Sequence, residues 1–367
     1  MQITAAVVRT AEQPFQIETL ELDSPRAGEV LVEIESVGLC HTDIGVQKQW
    51  LPVPLPLVLG HEGAGRVVEV GEGVTSVAAG DPVLLTFASC RRCRSCLDGH
   101  PAYCENFPAL NVLGTRLDGT TALTDADGKS VNGQFFSQSS FATHAIALES
   151  NVIKLSDDAD LRQVGPLGCG IQTGAGTVLN GLRPPAGSSI AVYGVGAVGL
   201  AAIMAARVAG CTKIIAVDRI QSRLDAALEF GATHAVNSET GDIVESIRAI
   251  TGAGTDYAVD TTAITAVVRQ GASALAPRGT LAILGFGKAG TDIEIDMLEF
   301  LMAGRTIVGM TEGDAVPSDF IPRLIELNAQ GRFPYDKLIT HYPFADINQA
   351  CADVESGVAV KAVLDLK

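Results

Sequence analysis

The pattern of hydrophobic and polar positions changes character midway along the chain. In the first third, short apolar runs alternate with polar residues over positions 5–8, 29–37 (EVLVEIESV), 65–70 (GRVVEV) and 81–87 (DPVLLTF). Turn-forming stretches such as Pro25-Arg26-Ala27-Gly28 and Val70-Gly71-Glu72-Gly73 separate them. A two-residue period bounded by Gly and Pro predicts strands that pair across long sequence distances, hence a mainly β domain. From about Gly187 the texture becomes strand, helix, strand. Strands are predicted over 188–193, 213–217, 257–260, 280–284 and 306–308. Helices are predicted over 196–209, 221–230 and 264–275, with Gly231 closing the second. That alternation predicts an α/β, doubly wound parallel sheet with helices on both faces. The tail carries a helix at 320–330 and a final extended run at 362–366, and its patterning does not say which domain it joins.

Composition narrows the classes of function. The 367 residues hold 26 Lys and Arg against 42 Asp and Glu, a net charge of −16, with 47% hydrophobic and 19% charged residues. Such a chain supports a packed core, and it lacks the positive field that draws proteins to nucleic acid or anionic lipid. One uncharged stretch, 184–206, has the length of a membrane span. It contains Pro184, Pro185 and four glycines, so it reads as strand, glycine turn and helix, and no membrane partner is expected. Met1-Gln2-Ile3-Thr4 lacks the charged start and apolar core of a secretion signal. Together with eight cysteines that do not look like a disulfide framework, this predicts a cytoplasmic protein.

The cysteines carry the strongest local signal. Cys90-x2-Cys93-x2-Cys96-x7-Cys104 places four thiolates on one short loop, able to wrap a tetrahedral zinc with no coordination position left open. Arg91, Arg92 and Arg94 would offset part of the charge; buried or redox cysteines and an iron–sulfur cluster are the alternatives. Three weaker candidates are scattered: Cys40-His41-Thr42-Asp43, Gly60-His61-Glu62, and Cys169 within Gly165-Pro166-Leu167-Gly168-Cys169-Gly170. On spacing alone, each is more often structural than metal-binding.

Gly194-Val195-Gly196-Ala197-Val198-Gly199 follows a predicted strand and opens a helix, and Asp218 ends the next strand nineteen residues after Gly199. That context predicts a dinucleotide site with pyrophosphate at the helix N-terminus. A carboxylate at 218 favours NAD over NADP, although Arg219 and Arg223 stand close by.

On these motifs the chain resembles the zinc-dependent medium-chain alcohol dehydrogenases along essentially its whole length. Gly60-His61-Glu62-x2-Gly65-x5-Gly71-x2-Val74, the four-cysteine lobe and the glycine fingerprint are the matching features. Residues 38–43, Pro52-Val53-Pro54-Leu55-Pro56, Gln138-Ser139-Ser140-Phe141-Ala142 and 165–176 resemble the aryl-alcohol (benzyl-alcohol) dehydrogenase branch. The resemblance implies a GroES-like catalytic domain, 1–170 and 311–367, with a structural zinc lobe at 90–104, and a Rossmann domain, 171–310, that binds NAD. It implies two zinc ions per chain: a catalytic one on Cys40, His61 and Cys169 and a structural one on the lobe. Asp43 would orient His61, Glu62 would lie behind the metal, and Thr42 would bond the substrate hydroxyl. His41 and Lys361 would touch the pyrophosphate, with Thr173 near the nicotinamide. Trp50, Phe87, Phe135, Phe136 and Phe286 would line the substrate slot.

The implied reaction is reversible hydride transfer from a primary aromatic or allylic alcohol to NAD. Gly45 stands where the well-known animal enzymes carry a histidine, so the proton relay must end on water or on another base such as His41. The resemblance further implies a homo-oligomer, dimer or tetramer, with the apolar run 280–286 as a candidate pairing edge. Two alternatives are a glutathione-linked formaldehyde dehydrogenase and a zinc-free quinone-reductase relative. The first would use an arginine soon after the last lobe cysteine, and none occurs before Arg116.

Overall fold

The computed structural model describes residues 1–285, 287–288 and 290–367. The chain divides into two compact units. One comprises Met1–Cys169, Val316–Pro322 and Leu338–Lys367; the other comprises Gly170–Ala315 and Arg323–Lys337.

The first unit is mainly β. A seven-stranded sheet runs in the order Val152–Lys154, Pro82–Leu85, Gly63–Val70, Glu29–Gly38, Lys361–Asp365 and Ile339–Pro343, with His144–Leu148 also on Glu29–Gly38. A five-stranded sheet contains Gln2–Val8 and Gln16–Leu22. The inward positions of both sheets fill one core, including Val30, Val32, Ile34, Leu57, Leu59, Phe135 and Phe141. The long strand Glu29–Gly38 is buried along most of its length because it has neighbours on both edges. It also settles part of the tail: Val363 pairs with Gly38 and Leu364 with Val37, so the last strand is stitched into this unit. Residues 323–337 belong instead to the second unit.

A buried ion pair holds the start of that long strand. Arg116 donates through Nε to Glu29 Oε1 at 2.7 Å and through Nη2 to Glu29 Oε2 at 3.0 Å. Both residues are buried.

The second unit contains, among the described residues, six parallel strands ordered His234–Asn237, Lys213–Asp218, Ser189–Tyr193, Thr255–Asp260, Leu275–Ile283 and Thr306–Gly309. The strand order reverses direction at Ser189–Tyr193, which pairs with Lys213–Asp218 on one side and Thr255–Asp260 on the other. A ligand crevice forms at the carboxyl end of such a switch point, and the glycine fingerprint follows Tyr193 there. Sequence patterning skipped several elements of this unit, among them the strand His234–Asn237 and the helices Ile243–Thr251 and Met297–Ala303. It also set the candidate pairing edge at 280–286. The structure corrects this: Leu275–Ile283 has neighbours on both sides, and Thr306–Gly309 is the edge strand. The segment Pro184–Ala206 is a strand, a turn and part of a helix, and no helix among the described residues is long and apolar enough to cross a membrane.

Removing one partner of a buried, bidentate pair strands the other charge, at a cost of about 3–5 kcal/mol. Glu29→Ala is therefore expected to destabilise the first unit by about that amount in urea unfolding. A loss below about 1 kcal/mol would show that Arg116 reaches water.

Candidate metal centre and nucleotide site

The first cluster grows from two loops and one carboxylate. Cys40 lies just beyond the strand Glu29–Gly38 and caps the short helix His41–Gln47. His61 precedes the strand Gly63–Val70. Asp43, fully buried, ties the two together. Its Oδ2 accepts from the Cys40 N–H at 3.1 Å, and its Oδ1 accepts from the Gly60 N–H at 3.0 Å and lies 2.9 Å from His61 Nδ1. Gly60 at φ +89 makes this turn, where a Cβ would stand 2.5 Å from the Phe141 nitrogen. With Nδ1 committed to Asp43, His61 presents Nε2 inward, and that atom is buried with no hydrogen-bond partner.

Cys169 is brought to the same place by the turn Gly165–Gly168, which packs closely enough that a Cβ at Gly168 would lie 2.3 Å from the Leu85 carbonyl oxygen. One ligand atom each from Cys40, His61, Glu62 and Cys169 lies within 4.8 Å of the others. Two thiols, one imidazole whose Nε2 lacks a partner, and room for one further ligand fit a zinc ion with an open position.

Electrostatics within the cluster favours a cation. The hydrogen bond with Cys169 is the largest influence holding the Cys40 thiol well below its ordinary range, although burial opposes it. Burial alone would depress the His61 imidazolium, but the Asp43 carboxylate more than reverses that and holds it well above the usual range. Burial raises the Glu62 carboxyl, against the pull of Lys361. Glu62 occupies space left by Gly38, where a Cβ would stand 2.0 Å from its Oε2.

The second cluster is the four-cysteine lobe. Cys93 and Cys96 sulfurs are 3.5 Å apart, and Cys90 to Cys96 and Cys93 to Cys104 are each 4.0 Å. Backbone N–H groups of Cys90 and Asn106 donate to Cys104 Sγ, and that of Cys93 donates to Cys90 Sγ. The Arg92 N–H, first among its influences, lowers the Cys90 thiol to about 6, while burial pushes Cys96 up to about 12. Such donation to sulfur stabilises thiolates, and the four donors fit a tetrahedral zinc. None of the eight cysteines is in a disulfide.

In the second unit each glycine of the fingerprint has its own geometry. Gly194 has φ +81, and a Cβ there would lie 2.5 Å from Thr261 Oγ1. Gly196 faces open space, with nothing within 4 Å of where a Cβ would be, which leaves the backbone approachable. A Cβ at Gly199 would be 2.0 Å from the Gly194 carbonyl oxygen, so the helix Ala197–Ala209 can lie on the strand only without one. Gly196, Ala197 and Val198 are partly exposed at the start of that helix, whose free N–H groups suit a pyrophosphate. Asp218 is buried; it accepts from the Val195 N–H at 2.8 Å and the Ile220 N–H at 3.0 Å. It thus fastens the glycine turn to the neighbouring strand, a contact not visible in the motif. Arg219 is exposed, and Arg223 Nε is buried with no hydrogen-bond partner. Thr173 lies in the helix Gly170–Gly176, half-buried, and its carbonyl accepts from Thr177 Oγ1.

The remaining candidates divide. Thr42 Oγ1 is 3.7 Å from Cys40 Sγ, and His41 is exposed at the start of its helix. Lys361, anticipated on the pyrophosphate, is buried, with Nζ 2.5 Å from Glu62 Oε2, and donates to the Leu39 carbonyl. Phe135 and Phe136 pack directly on His61, with ring centroids 5.5 and 4.5 Å from the imidazole. Phe87 is buried but borders a cavity of about 530 Å³ beside the lobe, shared with Cys96 and Pro101. Trp50 is 46% exposed, with Lys48 Nζ 5.7 Å from its ring centroid. Phe286 lies outside the described residues.

A switch-point glycine turn in one unit and a two-sulfur, one-imidazole cluster in a mainly β unit are the parts of a metal-assisted dehydrogenase. Comparison with known proteins agrees. Residues 26–157 match the alcohol dehydrogenase GroES-like domain, and residues 197–330 match the zinc-binding dehydrogenase family. The chain is 43% identical over 362 residues to the geraniol dehydrogenase of Castellaniella defragrans, covering 98% of this chain and 96% of that protein. It superposes on the benzyl alcohol dehydrogenase of Acinetobacter calcoaceticus with a TM-score of 0.97 at 42% identity, covering 100% of both chains. An alcohol dehydrogenase zinc-binding domain protein from Burkholderia ambifaria gives a TM-score of 0.98 at 54% identity, covering 100% of this chain and 99% of that one. The chain belongs to the zinc-binding medium-chain alcohol dehydrogenases and is an NAD-dependent enzyme of that family.

Asp218→Ser removes the acceptor of the Val195 N–H as well as a negative charge. NADH titration is expected to show about tenfold weaker binding, with the NAD to NADP ratio of kcat/KM falling by at least as much. An unchanged ratio would mean that the carboxylate serves the turn alone.

Proposed function

We propose that this enzyme oxidises primary alcohols whose carbinol carbon adjoins an aromatic ring or a double bond, reversibly, to the conjugated aldehydes. One zinc sits on Cys40, His61 and Cys169, a second on Cys90, Cys93, Cys96 and Cys104, and NAD lies along Gly194–Gly199. The observation that carries the reading is the convergence of the Cys40, His61 and Cys169 donor atoms within 4.8 Å, with His61 Nε2 buried and otherwise without a hydrogen-bond partner. Relatives named for geraniol and benzyl alcohol support the substrate class, since both alcohols give conjugated aldehydes.

When bound, zinc acidifies the alcohol and NAD accepts its hydride. The chain supplies the rest. Asp43 fixes the tautomer and aim of His61. Lys361 neutralises Glu62, so that a second carboxylate charge is not left bare beside the thiolates. Thr42 holds the substrate hydroxyl and starts its proton outward; Gly45 offers no side chain beyond it, so the proton passes to His41 or to water. Phe135 and Phe136 keep the region around His61 apolar and dry. Asp218 reads the adenosine ribose. The assembly is a homo-oligomer: the helix Met297–Ala303 exposes Met297, Leu298, Leu301 and Met302 beside the edge strand Thr306–Gly309. A cytoplasmic setting suits eight cysteines without a disulfide.

The formaldehyde dehydrogenase alternative loses ground on one contact. Arg116, the first arginine after the lobe, is spent on Glu29 at 2.7 and 3.0 Å and cannot also anchor a substrate carboxylate.

Metal analysis is expected to give about two zinc per chain in the native protein and about one in Cys169→Ser. That variant should lose roughly 10³-fold or more in kcat while binding NADH with little change. Near-normal turnover would show the ligand set to be misassigned. Among alcohols, kcat/KM for benzyl alcohol, cinnamyl alcohol and geraniol should exceed that for ethanol and propanol by at least about tenfold. Parity between the two groups would remove the proposed substrate class.

A further inference from the structure

Asp43 holds His61 at one atom only. A hydrogen bond at Nδ1 leaves the imidazole free to tilt about the axis running through that bond, and any tilt swings Nε2 away from the Cys40 and Cys169 sulfurs. The aromatic residues around His61 address this freedom. Phe136 lies face to face with the imidazole, centroids 4.5 Å apart and planes 29° apart, while Phe135 meets it edge-on at 5.5 Å and 86°. One ring blocks tilting and the other blocks sliding.

The backbone that presents Phe136 is strained. Phe136, Ser137 and Ser139 have φ of 51°, 51° and 49°, three non-glycine residues in the left-handed region within four positions. Such conformations persist where surrounding contacts over-determine them, and here the contacts are explicit. Ser139 Oγ donates to the Val58 carbonyl and accepts from the Phe135 N–H. Asn151 Nδ2 donates to the Phe136 and Ser137 carbonyls at 3.1 and 3.3 Å. Ser137 Oγ donates to the Leu110 carbonyl at 2.6 Å, which ties the turn to the helix Phe107–Asn111.

That helix grows directly out of the four-cysteine lobe. The Phe107 N–H donates to the Cys104 carbonyl, and the Phe107 ring packs on the lobe cluster of Ala88, Cys104 and Leu110. The same ring meets Phe136 edge-on at 6.1 Å and 90°. An unbroken series of contacts therefore runs from the lobe cysteines through Phe107 and Phe136 to the imidazole.

We infer that Phe136 is a positioning residue that sets the plane of His61, and that Phe107 couples it to the four-cysteine lobe, so that the packing of one metal site tunes the geometry of the other. This inference rests on the reading that Cys40, His61 and Cys169 hold zinc. A series of contacts is not by itself evidence of coupling, and the test is a double-variant cycle read at the metals.

Full-length protein carrying cadmium-113 at both sites gives separate NMR resonances for a four-sulfur and a two-sulfur, one-nitrogen site. Phe136→Leu is expected to move the second resonance and leave the first in place, and to speed metal loss to a chelator from that site about two- to tenfold. Phe107→Leu should move the same resonance in the same direction by less, and the double variant should go no further than Phe136→Leu alone. The two-sulfur resonance staying fixed in Phe136→Leu while only the KM for alcohol rises would overturn the proposal, making Phe136 a substrate wall. Additive shifts, or a Phe107→Leu effect confined to the four-sulfur resonance, would overturn the coupling. Absence of any two-sulfur, one-nitrogen resonance in the native protein would overturn the zinc reading itself, and with it this inference. If Phe136→Leu does not fold, Phe107→Leu, which removes a partly buried ring, carries the test.

Discussion

A single buried carboxylate holds the candidate metal ligands together. Asp43 takes three hydrogen-bonding partners, the N–H groups of Cys40 and Gly60 and the Nδ1 of His61, and none of its surface reaches solvent. A carboxylate buried this deeply is tolerable only when its lone pairs are used. The requirement works in both directions. Asp43 needs those donors, and by collecting them it draws a strand end, a helix start and a distant loop into one place. Cys40 and His61 are held apart by twenty residues of chain and together by Asp43, with its partners fixing the backbone on both sides of the ligand pair.

The scaffold makes that convergence cheap. Cys40 and His61 emerge from neighbouring strands, Glu29–Gly38 and Gly63–Val70, whose register sets Val37 opposite Gly63. Three glycines then remove the side chains that would keep the loops apart. Gly38 makes room for Glu62, Gly165 lets the Cys169 turn approach the Glu62 carbonyl, and Gly168 lets it approach Leu85. The last strand contributes as well: pairing of Lys361–Asp365 with Glu29–Gly38 delivers Lys361 to Glu62 beneath the cluster. The charge partner of a residue near position 60 thus comes from the far end of the chain.

The legibility of this architecture in the sequence follows its physics. The four-cysteine lobe and the glycine fingerprint were readable because all their atoms come from one short segment, so spacing alone determines geometry. The strands of the second unit were readable because buried parallel strands form continuous apolar runs. His234–Asn237 escaped because it lies at the sheet edge and is only partly buried, which leaves no apolar run to detect. The catalytic cluster is a different case. Cys40, His61 and Cys169 looked no different from structural residues until family resemblance grouped them, because their closeness depends on strand register and on Asp43. Lys361 was read as a phosphate contact from the resemblance; its buried pairing with Glu62 is a further contact that nothing local reveals. Trp50 and Phe87 were read as substrate walls from the resemblance; what local sequence does not reveal is their packing, the first half exposed under Lys48 and the second bordering the lobe-side cavity.

The charge balance around the cluster explains why metal and fold must be treated together here. With both thiols ionised, Cys40, Cys169, Asp43 and Glu62 bring four negative charges into a buried region, and Lys361 brings one positive. A deficit of that size is not sustainable in low dielectric, so the cluster must take up positive charge from somewhere. Two shifts run in that direction: Asp43, against burial, holds the His61 imidazolium above its usual range, and burial raises the Glu62 carboxyl. A zinc ion held by Cys40, His61 and Cys169 would supply two positive charges to this region, with His61 Nε2 unprotonated. Affinity for the ion therefore comes less from any one ligand than from a buried constellation already short of positive charge, with Lys361 setting how short.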